Sequence, residues 1–294
     1  MSWEFPFRDE TRDLDDAARL TAEGQFVRLS QGWTHYQSIA ARDEPSVVLV
    51  HGFSVPYFIW DPTFEALAAA GFGVTRYDLY GRGYSDRPRV SYDLGLFVDQ
   101  LLELLDALKL QQVDLVGLSM GGAIVAALKL QRASRVRRIV LIDPVGARPM
   151  PLNFLYRVAA IPGISEALLA LFGTERMLQG MASDLYDRSL VRLLQDKLRV
   201  QTQFKGFKRA ILSSLRHHML GSSRQVYEQL GELETRILLL WGEDDLTVPF
   251  AQSLEMRELL PRADFRSIPR CGHIPHYEKP DEINPKLVEF LTAI

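Results

Sequence analysis

Two glycines placed symmetrically around a serine, in Gly117-Leu118-Ser119-Met120-Gly121-Gly122, form the grouping in this chain with the most specific chemistry. The grouping falls where an expected strand (113–117, VDLVG) gives way to a helix-period segment (121–131). A serine on so sharp a strand-to-helix turn is held in a strained backbone, and only small neighbours clear it. Its hydroxyl is a poor nucleophile near neutral pH and needs a base within hydrogen-bond reach. Six histidines are available. His35 lies in a leading strand, and His217 and His218 lie in helical segments, so these three read as structural or solvated. His51 follows a strand in His51-Gly52-Phe53, where such a side chain braces the turn. His273 and His276 remain, and His273 is preferred because it follows Gly272 just past the last strand.

The base in turn needs an acid to fix its tautomer and to stabilise the imidazolium that forms. Asp245, in the segment from Trp241 to Pro249, occupies a loop position that directly follows a strand. Its neighbour Asp244 reads as a turn-former or surface charge. Asp143, after the strand at 138–142, is the reserve acid. All three keep the chain order serine, aspartate, histidine. Acyl transfer also requires donors aimed at the developing oxyanion. The backbone N–H groups of Met120, directly after the nucleophile, and of Phe53, in the loop after 47–50, are placed to supply them. Cys271 reads as a small packed residue. No His/Cys/carboxylate cluster has metal-ligand spacing, so no metal is expected. Gly81 and Gly83 lack the lysine and helix start of a phosphate loop, and no cofactor is expected.

The elements that must position these residues follow a regular alternation. Strands are expected at 47–50, 74–79, 113–117, 138–142, 236–241 and 265–268, and helices at 56–70, 94–108, 121–131, 250–260 and 281–293. Strands alternating with helices imply right-handed crossovers and a mostly parallel sheet covered on both faces. Segments 25–30 and 34–39 read as a leading antiparallel hairpin. From 147 to 232 the pattern is helical with no convincing strand. One helix there starts with Ser165 as its N-cap, shows Ala167, Leu168, Leu171 and Phe172 as its apolar positions, and closes at Gly173; Leu190, Leu193, Leu194 and Leu198 mark another helix face.

Five motifs in order make the chain resemble the α/β-hydrolase superfamily over nearly its whole length: HGF (51–53), DLYGRGYSDRP (78–88), GLSMGG (117–122), WGEDDLTVP (241–249) and CGHIPHYEKP (271–280). The resemblance implies the α/β-hydrolase fold, with core residues 1–146 and 233–294 and a helical cap at 147–232. It assigns the acid to Asp245 rather than Asp244, and it gives Asp78, Gly81, Gly83 and Ser85 a loop-bracing role. The wording HGFS and GLSMGG is similar to carboxylesterases and monoacylglycerol-lipase-like members, so a serine carboxylesterase acting on small to medium acyl esters is expected. The alternative is a carbon–carbon hydrolase of aromatic meta-cleavage products. Those enzymes typically carry a glycine-rich HGGG loop, an asparagine before the serine and a tryptophan after the histidine, whereas this chain has HGFS, Leu118 and Ile274. A slow-turnover, ligand-sensing member is a further alternative.

Composition sets outer bounds. Of 294 residues, 47% are hydrophobic and 24% charged, enough to bury a sizeable core, and a net charge of −3 points to no nucleic-acid partner. One cysteine excludes an internal disulfide and fits a reducing compartment. The first twenty residues are charged and lack a leader's apolar run, and no stretch approaches the roughly 18 apolar residues of a membrane span. A cytoplasmic protein acting on a small-molecule ester is expected. Residues 147–232 hold 12 Lys/Arg and 7 Asp/Glu, a net +5. Two amphipathic helices with their charges in water are the preferred account; contact with an anionic membrane surface is the alternative.

Overall fold

The computed structural model describes residues 7–40, 46–149, 161 and 163–293. After a one-turn helix α1 (Asp16–Arg19), strands β1 (Gln25–Leu29) and β2 (Gly32–Ile39) form the expected antiparallel hairpin, and β2 pairs antiparallel with β4 (Gly73–Tyr77). The other neighbours run parallel: β3 (Ser46–Val50), β5 (Val113–Leu118), β6 (Val136–Ile142), β7 (Arg236–Gly242) and β8 (Asp264–Ile268). The sheet order is β1-β2-β4-β3-β5-β6-β7-β8. Every residue of β3, β4 and β5 is buried, as expected of parallel strands covered on both faces.

Alternation along each strand divides the core in two. Val48 and Val50 of β3, Leu115 of β5, Ile139 and Leu141 of β6, and Leu239 and Trp241 of β7 enter one apolar cluster. Their alternate neighbours Val47, Leu49, Val116, Val140, Ile142, Leu238 and Leu240 enter the other. Helices α3 (Leu94–Ala107) and α4 (Met120–Gln131) pack into the first cluster through Phe97, Leu101, Ile124 and Leu128. Helix α2 (Asp61–Ala69) packs into the second through Phe64 and Leu67.

Within the part that precedes β5, two elements differ from their sequence expectation. The helix expected at 56–70 is a 3-10 turn, Tyr57–Trp60, followed by α2, because a proline enters at the first turn of α2 and restarts the helix there. The strand expected at 74–79 ends at Tyr77. At Asp78 the carboxylate gathers the N–H groups of Tyr57 and Tyr84 and the His35 ring, which pulls the chain into the next turn.

Between β6 and β7, the described residues form helices α5 (Ile164–Ser183), α6 (Val191–Thr202), α7 (Phe207–Arg216) and α8 (Arg224–Glu232). Ser165 is not the N-cap of α5. Gly163 holds that position, its N–H donating to Glu166 Oε2 at 2.6 Å, and Ser165 is buried. Nor does α5 stop at Gly173, since a single glycine costs a helix interior only about 1 kcal/mol and this one packs on Leu169. The expected apolar face is also rotated: Leu171 and Phe172 are exposed, and Leu178 and Met181 are buried. On α6, Leu194 and Leu198 are buried and Leu193 is half exposed.

The basic residues of this segment do not all face water. Lys208 is fully buried with its Nζ 2.6 Å from both oxygens of Asp9. Lys205 pairs with Asp13, Lys197 with Asp61 of α2, and Arg209 donates to the carbonyls of Arg87 and Pro88. The N-terminal segment thus works as a strap. Glu10 accepts from the N–H groups of Gly206 and Lys208, and Arg12 exchanges backbone hydrogen bonds with Gln203 and Lys205. Only charge was apparent in that stretch of sequence.

Candidate active site

The turn between β5 and α4 is closed by contacts that exclude side chains. Ser119 sits at φ +53°, ψ −118°, a left-handed conformation that is strained for a serine. A Cβ at Gly121 would stand 2.3 Å from Val50 O, and one at Gly117 would stand 2.6 Å from Gly121 O. Glycine is therefore required at both places by packing rather than by φ. The loop after β3 lies directly against the serine, since a Cβ at Gly52 would stand 3.2 Å from Ser119 Cβ. That loop carries Phe53, and Met120 is the first residue of α4, where a backbone N–H has no acceptor a turn earlier in the helix.

His51 braces the same loop: its ring bonds Gly52 O at 2.9 Å through Nδ1 and accepts the Leu79 N–H at 2.9 Å on Nε2. Burial pushes its pKa down to about 4, so it stays neutral. Arg82, buried, donates from Nε to Phe53 O at 2.9 Å and from a terminal nitrogen to Ser214 Oγ of α7. It therefore orients the Phe53 peptide and ties it to the helical segment, a role no spacing in the sequence announced.

His273 follows β8 on a loop at the same edge, and its Nδ1 lies 2.7 Å from Asp245 Oδ2. The other oxygen of Asp245 accepts the N–H groups of Thr247 and Val248 at 2.7 and 2.8 Å, which fixes the carboxylate toward the ring. Burial alone would lower the His273 pKa, but Asp245 beside it holds it above the usual value. Asp244 is exposed. His276 is buried against Trp60, bonds Ile59 O and is pushed down to about 3 by desolvation. His35 is spent on Asp78 at 2.7 Å. Ser119 reaches the same edge through its N–H to Ile142 O at 2.9 Å and its carbonyl, which accepts from Val145 at 3.4 Å. Its hydroxyl makes no hydrogen bond to His273 among the described residues; such contacts often tighten only when substrate is bound.

Three further groups crowd the dyad. Asp143, Asp245 and His273 offer atoms within 4.8 Å of one another, a cluster that the sequence spacing did not reveal. The 2.7 Å between His273 Nδ1 and Asp245 Oδ2 is a hydrogen-bond length, shorter than the separation of two ligands each about 2 Å from one ion. Asp184, just after α5, accepts the His273 N–H on its carbonyl at 2.7 Å, and its carboxylate accepts from the Thr247 hydroxyl. Glu278 accepts from the N–H groups of Gly272, Tyr186 and Asp187 at 2.7, 2.7 and 2.8 Å. The histidine loop is thus stitched to the helical segment at two points. Glu278 falls inside the CGHIPHYEKP motif, so its position was visible although its role was not; Asp184 carried no signal. Burial pushes the Cys271 thiol up, which fits a packed residue and not a nucleophile.

A strained serine at the end of β5, with an Asp–His pair on a neighbouring loop of an eight-stranded sheet, defines a class. The chain belongs to the alpha/beta hydrolase family, whose model matches residues 47–286. It is similar to a 2-hydroxy-6-oxo-6-phenylhexa-2,4-dienoate hydrolase of Burkholderia cepacia, 28% identical over 84% of this chain and 87% of that one. A 2-hydroxy-6-oxo-2,4-heptadienoate hydrolase of Pseudomonas putida is 30% identical over 84% and 89% of the two chains. Among solved structures, a variant of the meta-cleavage product hydrolase of Pseudomonas fluorescens superposes with a TM-score of 0.75 at 28% identity, covering 91% of this chain and 97% of that one. These relatives favour the carbon–carbon hydrolase alternative over the carboxylesterase reading. Among the described residues no helix is long and apolar enough to cross a membrane.

Proposed function

We propose that the chain is a serine-nucleophile hydrolase that cleaves the carbon–carbon bond beside a ketone in 2-hydroxy-6-oxo-dienoate compounds. The observation that carries the reading is the extent of the likeness: relatives with that activity align over most of both chains, and the Asp245–His273 pair is intact. In this reading His273 takes the Ser119 proton as Oγ attacks the C6 carbonyl, and the N–H groups of Phe53 and Met120 receive the oxyanion. Collapse breaks the C5–C6 bond, and the electron pair leaves on C5, where conjugation with the C2 carbonyl of the keto tautomer stabilises it. Imidazolium returns the proton to that carbon, and water then releases the acid from Ser119. In this reading helices α5 to α8 act as a cap over the site.

A second reading, carboxylesterase, is favoured by one observation. Leu118 and Ile274 are apolar and buried where the carbon–carbon hydrolases typically carry asparagine and tryptophan. The same serine, base and oxyanion donors serve an ester, whose alkoxide leaves more readily than carbon. Parallel assays decide: loss of the dienol absorbance with a 2-hydroxy-6-oxo-dienoate, and p-nitrophenol release across acyl lengths. Turnover of the dienoate at a kcat/KM well above that of every ester is expected. Ester turnover with the dienoate untouched would replace the first reading with the second. Ser119→Ala should abolish whichever activity is found, and a fluorophosphonate should label Ser119.

A further inference from the structure

Behind Asp245 lies a second carboxylate that the triad leaves unused. Asp143 directly follows β6, is fully buried, and sits at φ +43°. A residue with a side chain held there carries backbone strain, and persists where its surroundings fix it. Its N–H donates to Leu240 O at 3.0 Å, and its Oδ1 accepts the Gly242 N–H at 2.9 Å. Its Oδ2 is buried with no hydrogen-bond donor among the described residues.

Asp143 stands within the 4.8 Å cluster that holds Asp245 and His273. Two carboxylates so close and out of water cannot both be ionised. Asp245 receives three donors, from Thr247, Val248 and His273, whereas Asp143 receives one. The charge therefore belongs on Asp245 and the proton on Asp143. Burial, and after it the Asp245 charge, raise the Asp143 carboxyl well above the usual carboxylate range, in agreement with the hydrogen-bond count. An O–H on Oδ2 also gives that orphaned atom a partner.

We propose that Asp143 is a positioning residue that carries a proton on Oδ2 and donates it to Asp245, so that His273 is backed by an acid–carboxylate pair bearing one negative charge. The proposal rests on the Ser119–His273–Asp245 reading of the site. The shared proton draws charge from the carboxylate oxygen facing His273 and weakens its hold on the imidazolium. The other titratable groups near the pair are Asp184 and Glu278, which act on His273, and the Cys271 thiol.

Fluorophosphonate labelling of Ser119, followed against pH, tests this without knowledge of the substrate. The wild-type rate should rise with pH as His273 loses its proton. Asp143→Asn keeps an acceptor for Gly242 and an N–H for Asp245, so its midpoint should match wild type and its rate stay within about threefold. Asp143→Ala removes the donor, so the midpoint should rise by about one pH unit. A fall in the midpoint of Asp143→Asn would show that Asp143 carries a charge, and an unmoved midpoint in Asp143→Ala would make it a bystander; either overturns the proposal. Should the alanine variant not fold, the infrared difference spectrum of wild type minus Asp143→Asn at neutral pH decides. A protonated carboxyl C=O band is expected, and its absence overturns the proposal. Labelling of a residue other than Ser119 would refute the site reading instead, and the infrared band would still report on the proton.

Discussion

Around Ser119 the backbone leaves no room for alternatives: Gly117, Gly121 and Gly52 each face another main chain or the serine itself at close range. Across the helical segment 164–232 the decisive contacts are instead polar side chains reaching far along the sequence. Asp9 meets Lys208, Glu278 meets Tyr186 and Asp187, and Arg82 meets Ser214. A strand-to-helix turn is a local solution imposed by sterics, so its residue types must recur at fixed spacing. A helical segment attached through salt bridges and carboxylate–amide contacts has no such constraint, and equivalent attachments could be built from many residue pairs. Ser119 stands on the first kind of structure, while the loop that carries His273 is tied to the second through Asp184 and Glu278.

The largest effect should sharpen that contrast at the acid. Asp245→Asn removes the acceptor of the His273 Nδ1 proton and favours the wrong tautomer, for which a loss of about 10⁴-fold in kcat is the scale known from an analogous triad. Asp244→Asn, on an exposed side chain one residue away, should stay within about twofold. Steady-state kinetics on the two variants checks both. A comparable loss in the two would mean that the loop, and not the carboxylate, is what matters.

A smaller effect is expected where the two regions meet. Glu278→Gln leaves one acceptor oxygen for three backbone donors, so the stitch between the histidine loop and residues 186–187 should loosen. Losing charge-assisted hydrogen bonds of about 1.5 kcal/mol lowers kcat roughly tenfold if the loop carrying His273 drifts. KM should change less than kcat, because the stitch holds the base and not the substrate. A KM increase with kcat intact would instead assign Glu278 to the helical segment alone.

These effects follow what could be read from the residues. Strands β3, β5, β6 and β7 were legible because they are buried along most of their length and read as apolar runs, broken only by Asp114 in β5 and by the arginines at the starts of β6 and β7. The strained turn at Ser119 and the pairing of Asp245 with His273 were legible because turn sterics and strand ends place those residue types. Other features were not. The start and face of α5 were misread, since its cap is a glycine and its exposed side carries Leu171 and Phe172. Asp143 was read only as an alternative to Asp245, and its gathering with both Asp245 and His273 depends on β6 and β7 being neighbours in the sheet, a fact no spacing encodes. The strap was missed because an acidic N-terminus looks like a solvated one until its cations are located.

The strap supplies the smallest expected effect and the most direct test of how the helical segment is held. Lys208 is wholly buried, and Asp9, with a side chain 42% exposed, is its partner. Asp9→Asn leaves an ammonium out of water without its counter-charge. Breaking a fully buried pair costs about 3–5 kcal/mol, and solvent around Asp9 reduces that to about 1–2 kcal/mol, or a melting temperature lower by about 2–8 °C. Lys208→Met removes the buried charge while keeping the apolar stem, so it should be nearly neutral, and adding it to Asp9→Asn should restore most of the loss. Acidity supplies a control. Burial would raise the Asp9 carboxyl, but the hydrogen bonds from Lys208 and Thr174 together hold it below its usual 3.8. A depressed carboxylate stabilises above its unfolded pKa and ceases to do so as pH falls through the folded one, so the gap between wild type and Asp9→Asn should close below about pH 4. Thermal melts of the three variants at pH 7 and pH 3 measure it. A gap that persists at pH 3, or a double variant no more stable than Asp9→Asn, would mean that the strap is held by Glu10 and Arg12 through the backbone instead of by the ion pair.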